Sequence, residues 1–213
     1  MKYIDKQQLE DEWAKEKTEA RKWKKLLSED PDKNWQEFLN LNMQKNAGAD
    51  SDSEESSEYG DYYNSIWSKL SKGVKNISFM LDAEIIDARM VGENFRIKFN
   101  EKAVEFQDSY LTSVDLTNVE PVIRTGFDGK TYEVYYISRL TFINANVIKN
   151  DLSLHGRPHA RTTWYNDEVY LTSNGGYELH ILAIRHANSD TENDKLDDII
   201  LTFDDVIISV VGK

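Results

Sequence analysis

Four groupings of side chains in this chain have types and spacings that could do chemistry. His155 and His159 flank Gly156-Arg157-Pro158, two imidazoles in a short polar loop that could serve a metal or a general base. A zinc-binding histidine pair four apart normally rides a helix, which Gly156 and Pro158 forbid, and no acidic third ligand stands beside them, so solvated loop histidines are the better reading. Arg157 and Arg161 could still hold an anion there. His180 and His186 have equal parity in one predicted strand with Glu178, Leu182 and Ile184, which would set Glu178 beside His180 as an acid/base pair. Histidines at a strand's solvent face or edge explain the same pattern without catalysis. The alternating oxygen side chains of Asn188, Asp190, Glu192 and Asp194 begin as a calcium loop does. Asn193 then replaces the required glycine and Ile199 the closing glutamate, so the reading reverts to a polar hairpin turn.

The fourth grouping is Trp164-Tyr165 followed by Asp167, Glu168 and Tyr170. Aromatic residues beside carboxylates suit a protein-recognition patch, and Trp164, Tyr165, Asp167 and Glu168 are the candidate partner-binding residues. In a period-two strand alternate members of such a run turn inward, so part of the cluster is packing. No Gly-x-Ser-x-Gly elbow, Walker loop or Gly-x-Gly-x-x-Gly sequence occurs. No catalytic, cofactor-binding or metal-binding residue is therefore assigned.

These groups must be held by elements, and the chain changes character along its length. Leu9, Trp13, Ala20, Trp23 and Leu27 line one face of a helix from about Lys6 to Leu27. Asp30-Pro31 supplies the cap and first position of a second helix carrying Trp35, Phe38, Leu39 and Met43. Residues 1–47 thus form a helical hairpin. Residues 48–61 hold six acids, several serines and no base, the composition of a solvated connector. Residues 62–213 begin with a third short helix, Tyr62 to Lys72, and continue as strands: Ile77 to Met90, Phe95 to Phe99, Val119 to Arg124, Tyr132 to Val147, Ala160 to Tyr165, Glu168 to Thr172, Tyr177 to His186 and Ile199 to Val211. Val91-Gly92-Glu93-Asn94, Asp128-Gly129 and Asn174-Gly175-Gly176 supply tight turns. The predicted class is α+β, N-terminal helices followed by a mostly antiparallel β-sandwich or strongly curved sheet.

Composition narrows the function. The absence of cysteine removes disulfides, thiolate metal sites and thiol catalysis, and fits a reducing, cytoplasmic setting. No secretory h-region and no bilayer-length apolar run is present, so no membrane role is expected. The net charge of −12 opposes binding to a phosphate backbone, which excludes generic nucleic-acid binding and permits a basic protein partner.

The stretch Phe79-Met80-Leu81-Asp82-Ala83-Glu84-Ile85-Ile86, with Tyr165 to Leu171, Tyr177 to Leu182 and Ile199 to Ile208, resembles the opening and closing strands of small bacterial proteins of unknown function, including families related to polymorphic-toxin immunity proteins. The resemblance spans about residues 77–211. The family's histidine corresponds to Leu81 here, so no role of that histidine carries over. The resemblance implies a cytoplasmic, non-catalytic protein, with toxin neutralisation as one role. The expectation is a non-enzymatic protein-binding module without cofactors, whose N-terminal helices pack on the β-rich body or mediate self-association. A cryptic hydrolase or a carbohydrate-binding β-sandwich is the alternative.

Overall fold

A computed structural model describes residues 5–30, 34–35, 37–40, 53–70, 77, 80–100, 105–107, 119–152, 161–187 and 194–211, with the backbone path alone for 53–58 and 105–107. Its contacts divide the chain into two compact units, residues 4–60 and residues 61–213.

In the first unit, α1 (Lys6–Glu29) starts where the Asp5 carboxylate accepts from the Gln8 N–H at 3.0 Å. It stops at Asp30, whose N–H returns to the Leu26 carbonyl at 3.0 Å while the Asn34 side chain donates to the same oxygen at 2.8 Å. Those bonds satisfy the carbonyl that a helix end leaves open, and residues 34–35 and 37–40 are again helical. Trp23, the buried member of the predicted stripe, meets the edge of Phe38 at 5.6 Å, and Phe38 stacks on Trp35. Pro31 and residues 41–52 of the predicted hairpin and connector lie outside the described residues.

The next helix, α2 (Ser53–Trp67), begins nine residues before the predicted Tyr62 and inside the acid-rich stretch. An acidic first turn is favoured by the positive end of the helix dipole, so the composition that reads as connector is also compatible with a helix start. The helix closes in a tighter turn, with Lys69 bonded to Ile66 at 3.0 Å and Leu70 to Trp67 at 3.3 Å. Ile66, Trp67 and Leu70 are buried in the core of the second unit.

That core lies between two antiparallel sheets. The first has the order β1 (Ile85–Val91), β2 (Asn94–Phe99), β5 (Thr131–Ile143), β10 (Asp205–Val211). Two short strands, β3 (Glu105–Gln107) and β4 (Val122–Thr125), extend it on opposite sides of β5, since Val134 pairs with both Gln107 and Val122. The second sheet runs β6 (Asn146–Asn150), β9 (Lys195–Phe203), β8 (Tyr177–Arg185), β7 (Thr162–Leu171). The α+β class with antiparallel sheets is thus what the chain adopts.

Several predicted strands are broken or joined. Ile77, Met80 and Ala83 are buried at a spacing of three, because this segment is a turn with Asp82 at φ 64°, and the strand begins at Ile85. Tyr132 to Val147 splits at Asn144, φ 50°, and Ile199 to Val211 splits at Asp204. Each split carries the chain from one sheet to the other, since β5 pairs with β10 and β6 with β9. The two breaks hold each other: Asn144 Nδ2 donates to Asp204 Oδ2 at 2.9 Å, and the Asp204 N–H to the Ile143 carbonyl at 3.0 Å. At the other margin, β7 is tied to the segment before β1 by the Glu84–Thr163 bridge and by bonds linking Trp164 to Asp82 and Ala83. Ala160 to Tyr165 and Glu168 to Thr172 merge into the single strand β7, which has a bulge between Trp164 and Asn166.

Candidate functional site

Register in the second sheet brings ionisable residues together on a face that sequence parity alone could not complete. Glu168 lies opposite His180, His180 opposite Ile200, and Ile200 opposite Lys149, one row across four strands. Leu179, Ile181 and Ala183 turn the other way, into the core. Asp198 stands one step along β9 and joins the row. Its Oδ1 is 3.1 Å from His180 Nε2, and its Oδ2 pairs with the Lys149 ammonium. Lys149 also pairs with Asp151 at 2.9 Å, and the Asp198 and Asp151 backbones hydrogen-bond to each other's residue. The Asp151 and Asp198 carboxylates hold Lys149 above its ordinary range. Glu168 accepts from the Tyr170 hydroxyl at 2.6 Å. Glu168, His180 and Asp198 are all buried.

The carboxylate that meets His180 is therefore Asp198, not Glu178, which stands opposite Tyr170 and Thr202. His186 instead meets the Thr163 hydroxyl at 2.9 Å and lies 3.8 Å from Asp194. Buried charges need compensation, and Lys149 supplies it to Asp198 and Asp151. Among the described residues no group of three or more His, Asp or Glu could hold a metal ion. His155, His159 and positions 188–193 lie outside the described residues.

The bulge in β7 governs the predicted recognition residues. It sets Trp164 opposite Ala183 and Asp167 opposite Ile181, so both take the core-facing side, while Glu168 takes the other. Trp164 is 1% exposed and packs against Phe99 with ring centres 6.2 Å apart. Its indole N–H donates to Asp167 Oδ1 at 3.0 Å, and the Tyr63 hydroxyl of α2 donates to Oδ2. Burial pushes the Asp167 carboxyl up to about 6, the two donated bonds pull it back, and the Glu168 charge adds to the rise. Tyr165, at the bulge, is half-buried. Trp164, Asp167 and Glu168 thus divide between two sides of β7 instead of forming one outward patch, and Trp164 offers no sugar-stacking platform.

Among the described residues the most exposed large apolar side chains lie elsewhere, at the turn joining β4 to β5. Phe127 is fully exposed at its tip and Ile123 is 60% exposed on β4. The turn is firmly built. Gly126 N–H donates to the Lys130 carbonyl at 2.9 Å, and Asp128 accepts from the Lys130 N–H at 3.0 Å and from the Tyr132 hydroxyl at 2.5 Å. These bonds, Tyr132 foremost, hold the Asp128 carboxyl below its usual range. Gly129 has φ 77°, a conformation that glycine adopts without cost, and a Cβ on Gly126 would come within 2.7 Å of the Tyr132 ring. The sequence marks the turn through Asp128-Gly129. The aromatic residue inside it is the remaining signal.

No family model, curated protein or solved structure matches the chain. Among the described residues no helix is long and apolar enough to cross a membrane.

Proposed function

We propose that this protein is a non-enzymatic, cytoplasmic protein-binding module that engages its partner through the tip of the β4–β5 hairpin. The observation that carries the reading is Phe127, a large apolar ring wholly in water on a turn fixed by four backbone and side-chain bonds. Burying such a ring against a partner is worth about 1.5–3 kcal/mol, and a turn already ordered loses little entropy on binding. Ile123 on the same hairpin enlarges the apolar contact. The ionisable belt of the second sheet supports the non-enzymatic part, because His180 is buried and bonded to Asp198, which also pairs with Lys149. A net charge of −12 supports a basic partner, steered in by long-range attraction. Neutralisation of a toxin is the role that the immunity-family resemblance implies for such a module.

The test is capture from cells of the source organism with wild-type and Phe127→Ser baits of matched thermal stability. The specific partner band should be lost with Phe127→Ser and should weaken as salt rises. Equal recovery of the same partner by both baits overturns the hairpin as the contact.

A further inference from the structure

The outward face of the first sheet has the opposite character to the chain as a whole. Strand pairing lays out two transverse rows there, Arg89–Arg96–Thr141–Ile207 and Asp87–Lys98–Arg139–Ser209. The alternate rows, with Ile97, Leu140 and Ile208 or Phe95, Phe142 and Val206, fill the core. Four cations therefore share a patch roughly 7 Å by 10 Å, from strand rise and strand spacing. Within these two rows, among the described residues, the acid is Asp87, which pairs with Arg89 at 3.0 Å, and Asp205 stands on the same face one row further along β10.

The arrangement is unfavourable as it stands. Arg89 faces Arg96 and Lys98 faces Arg139 directly across strands, where like charges destabilise a sheet. Arg139 donates to Ser209 Oγ at 3.0 Å, yet its Nε and that of Arg96 are buried and make no hydrogen bond among the described residues. Arg89 and Lys98 are exposed, as is Ile207. Repulsion between these neighbours is relieved by carboxylates laid over the face, which the exposed Arg89 and Lys98 can bind.

The chain carries the complement itself. Residues 48–61 contain Asp50, Asp52, Glu54, Glu55, Glu58 and Asp61 with no base. We propose that this acidic stretch of one copy docks on the cationic face of a second copy, and that the exchange is reciprocal, giving a closed two-fold dimer. A polynucleotide fits less well, because the net charge of −12 repels it and the two rows offer no aromatic ring for base stacking. The inference is independent of the hairpin reading.

Sedimentation equilibrium of the full chain tests it at low and high ionic strength. Wild type should dimerise at low salt and dissociate as salt rises. The face variant Arg96→Glu/Lys98→Glu/Arg139→Glu and the stretch variant Asp50→Lys/Asp52→Lys/Glu54→Lys/Glu55→Lys/Glu58→Lys should each weaken self-association at least about tenfold. Their equimolar mixture should recover a heterodimer, since both contacts again join opposite charges. Phe127→Ser should leave the dimer intact. Should the face variant fail to fold, the stretch variant carries the test, as it leaves the buried cluster from Ile66 onward unchanged in sequence. A wild type that stays monomeric at all concentrations, or a stretch variant that dimerises as tightly as wild type, overturns the proposal.

Discussion

Folding alters the chemistry of Asp167 in a way that pH can read. Its carboxylate is enclosed by Trp164 and by Tyr63, and burial outweighs the two donated hydrogen bonds, so its proton is held up to about 6 against an ordinary 3.8. The folded protein thus binds this proton more tightly than the unfolded chain does. The associated stability is complete below pH 4 and is lost as pH rises through about 6, a decline of order 2 kcal/mol. Asp167→Asn removes the titration while keeping an acceptor, so the difference in urea-unfolding free energy between variant and wild type should move in the variant's favour by about that amount from pH 4 to pH 7. A difference that stays constant over that range would refute the assignment.

At the scale of elements, the two sheets are connected by Asn144 and Asp204, and these mark where the sequence stops being informative. Gly92 at φ 63° between Val91 and Asn94, Gly129 and Gly175 sit in turns that the sequence announces, because glycine's freedom at positive φ leaves a compositional mark. Period-two alternation likewise marks β2 and β8. Nothing comparable marks Asn144 or Asp204, where apolar alternation continues on both sides and two strands read as one. The partner of His180 was hidden for a related reason. Asp198 is 18 residues away, and only the β8–β9 register brings it within 3.1 Å, whereas Glu178 was the carboxylate nearest in sequence. Local chemistry was legible and pairing was not. The corner itself is testable. Asn144→Ala forfeits the bond to Asp204 and replaces a residue that tolerates φ 50° with one that adopts it less readily, each worth about 1 kcal/mol, so the unfolding free energy should fall by a total near 2 kcal/mol. Asn144→Gly keeps the backbone unstrained and should lose about half as much. Equal losses would show that backbone conformation contributes nothing at the corner.

For the whole molecule, the question is how much of the chain the β-rich unit needs. Among the described residues its buried cluster runs from Ile66 onward. The helix belongs to that cluster: Ile66 and Trp67 are wholly buried, Leu70 nearly so, and Tyr63 reaches Asp167 from the same turns. A fragment starting at Ser53 keeps all of these groups and should unfold in one cooperative transition. A fragment starting at Ile77 loses three large core side chains together with the Asp167 donor. Each such loss costs about 2–5 kcal/mol, and the sum matches the 5–15 kcal/mol that holds a domain of this size together. Far-UV circular dichroism against temperature should therefore show a sigmoidal melt for the longer fragment and none for the shorter one. A shorter fragment that melts cooperatively would mean that the two sheets alone exclude water from their core, and that α2 is an attachment to the β structure instead of a wall of it.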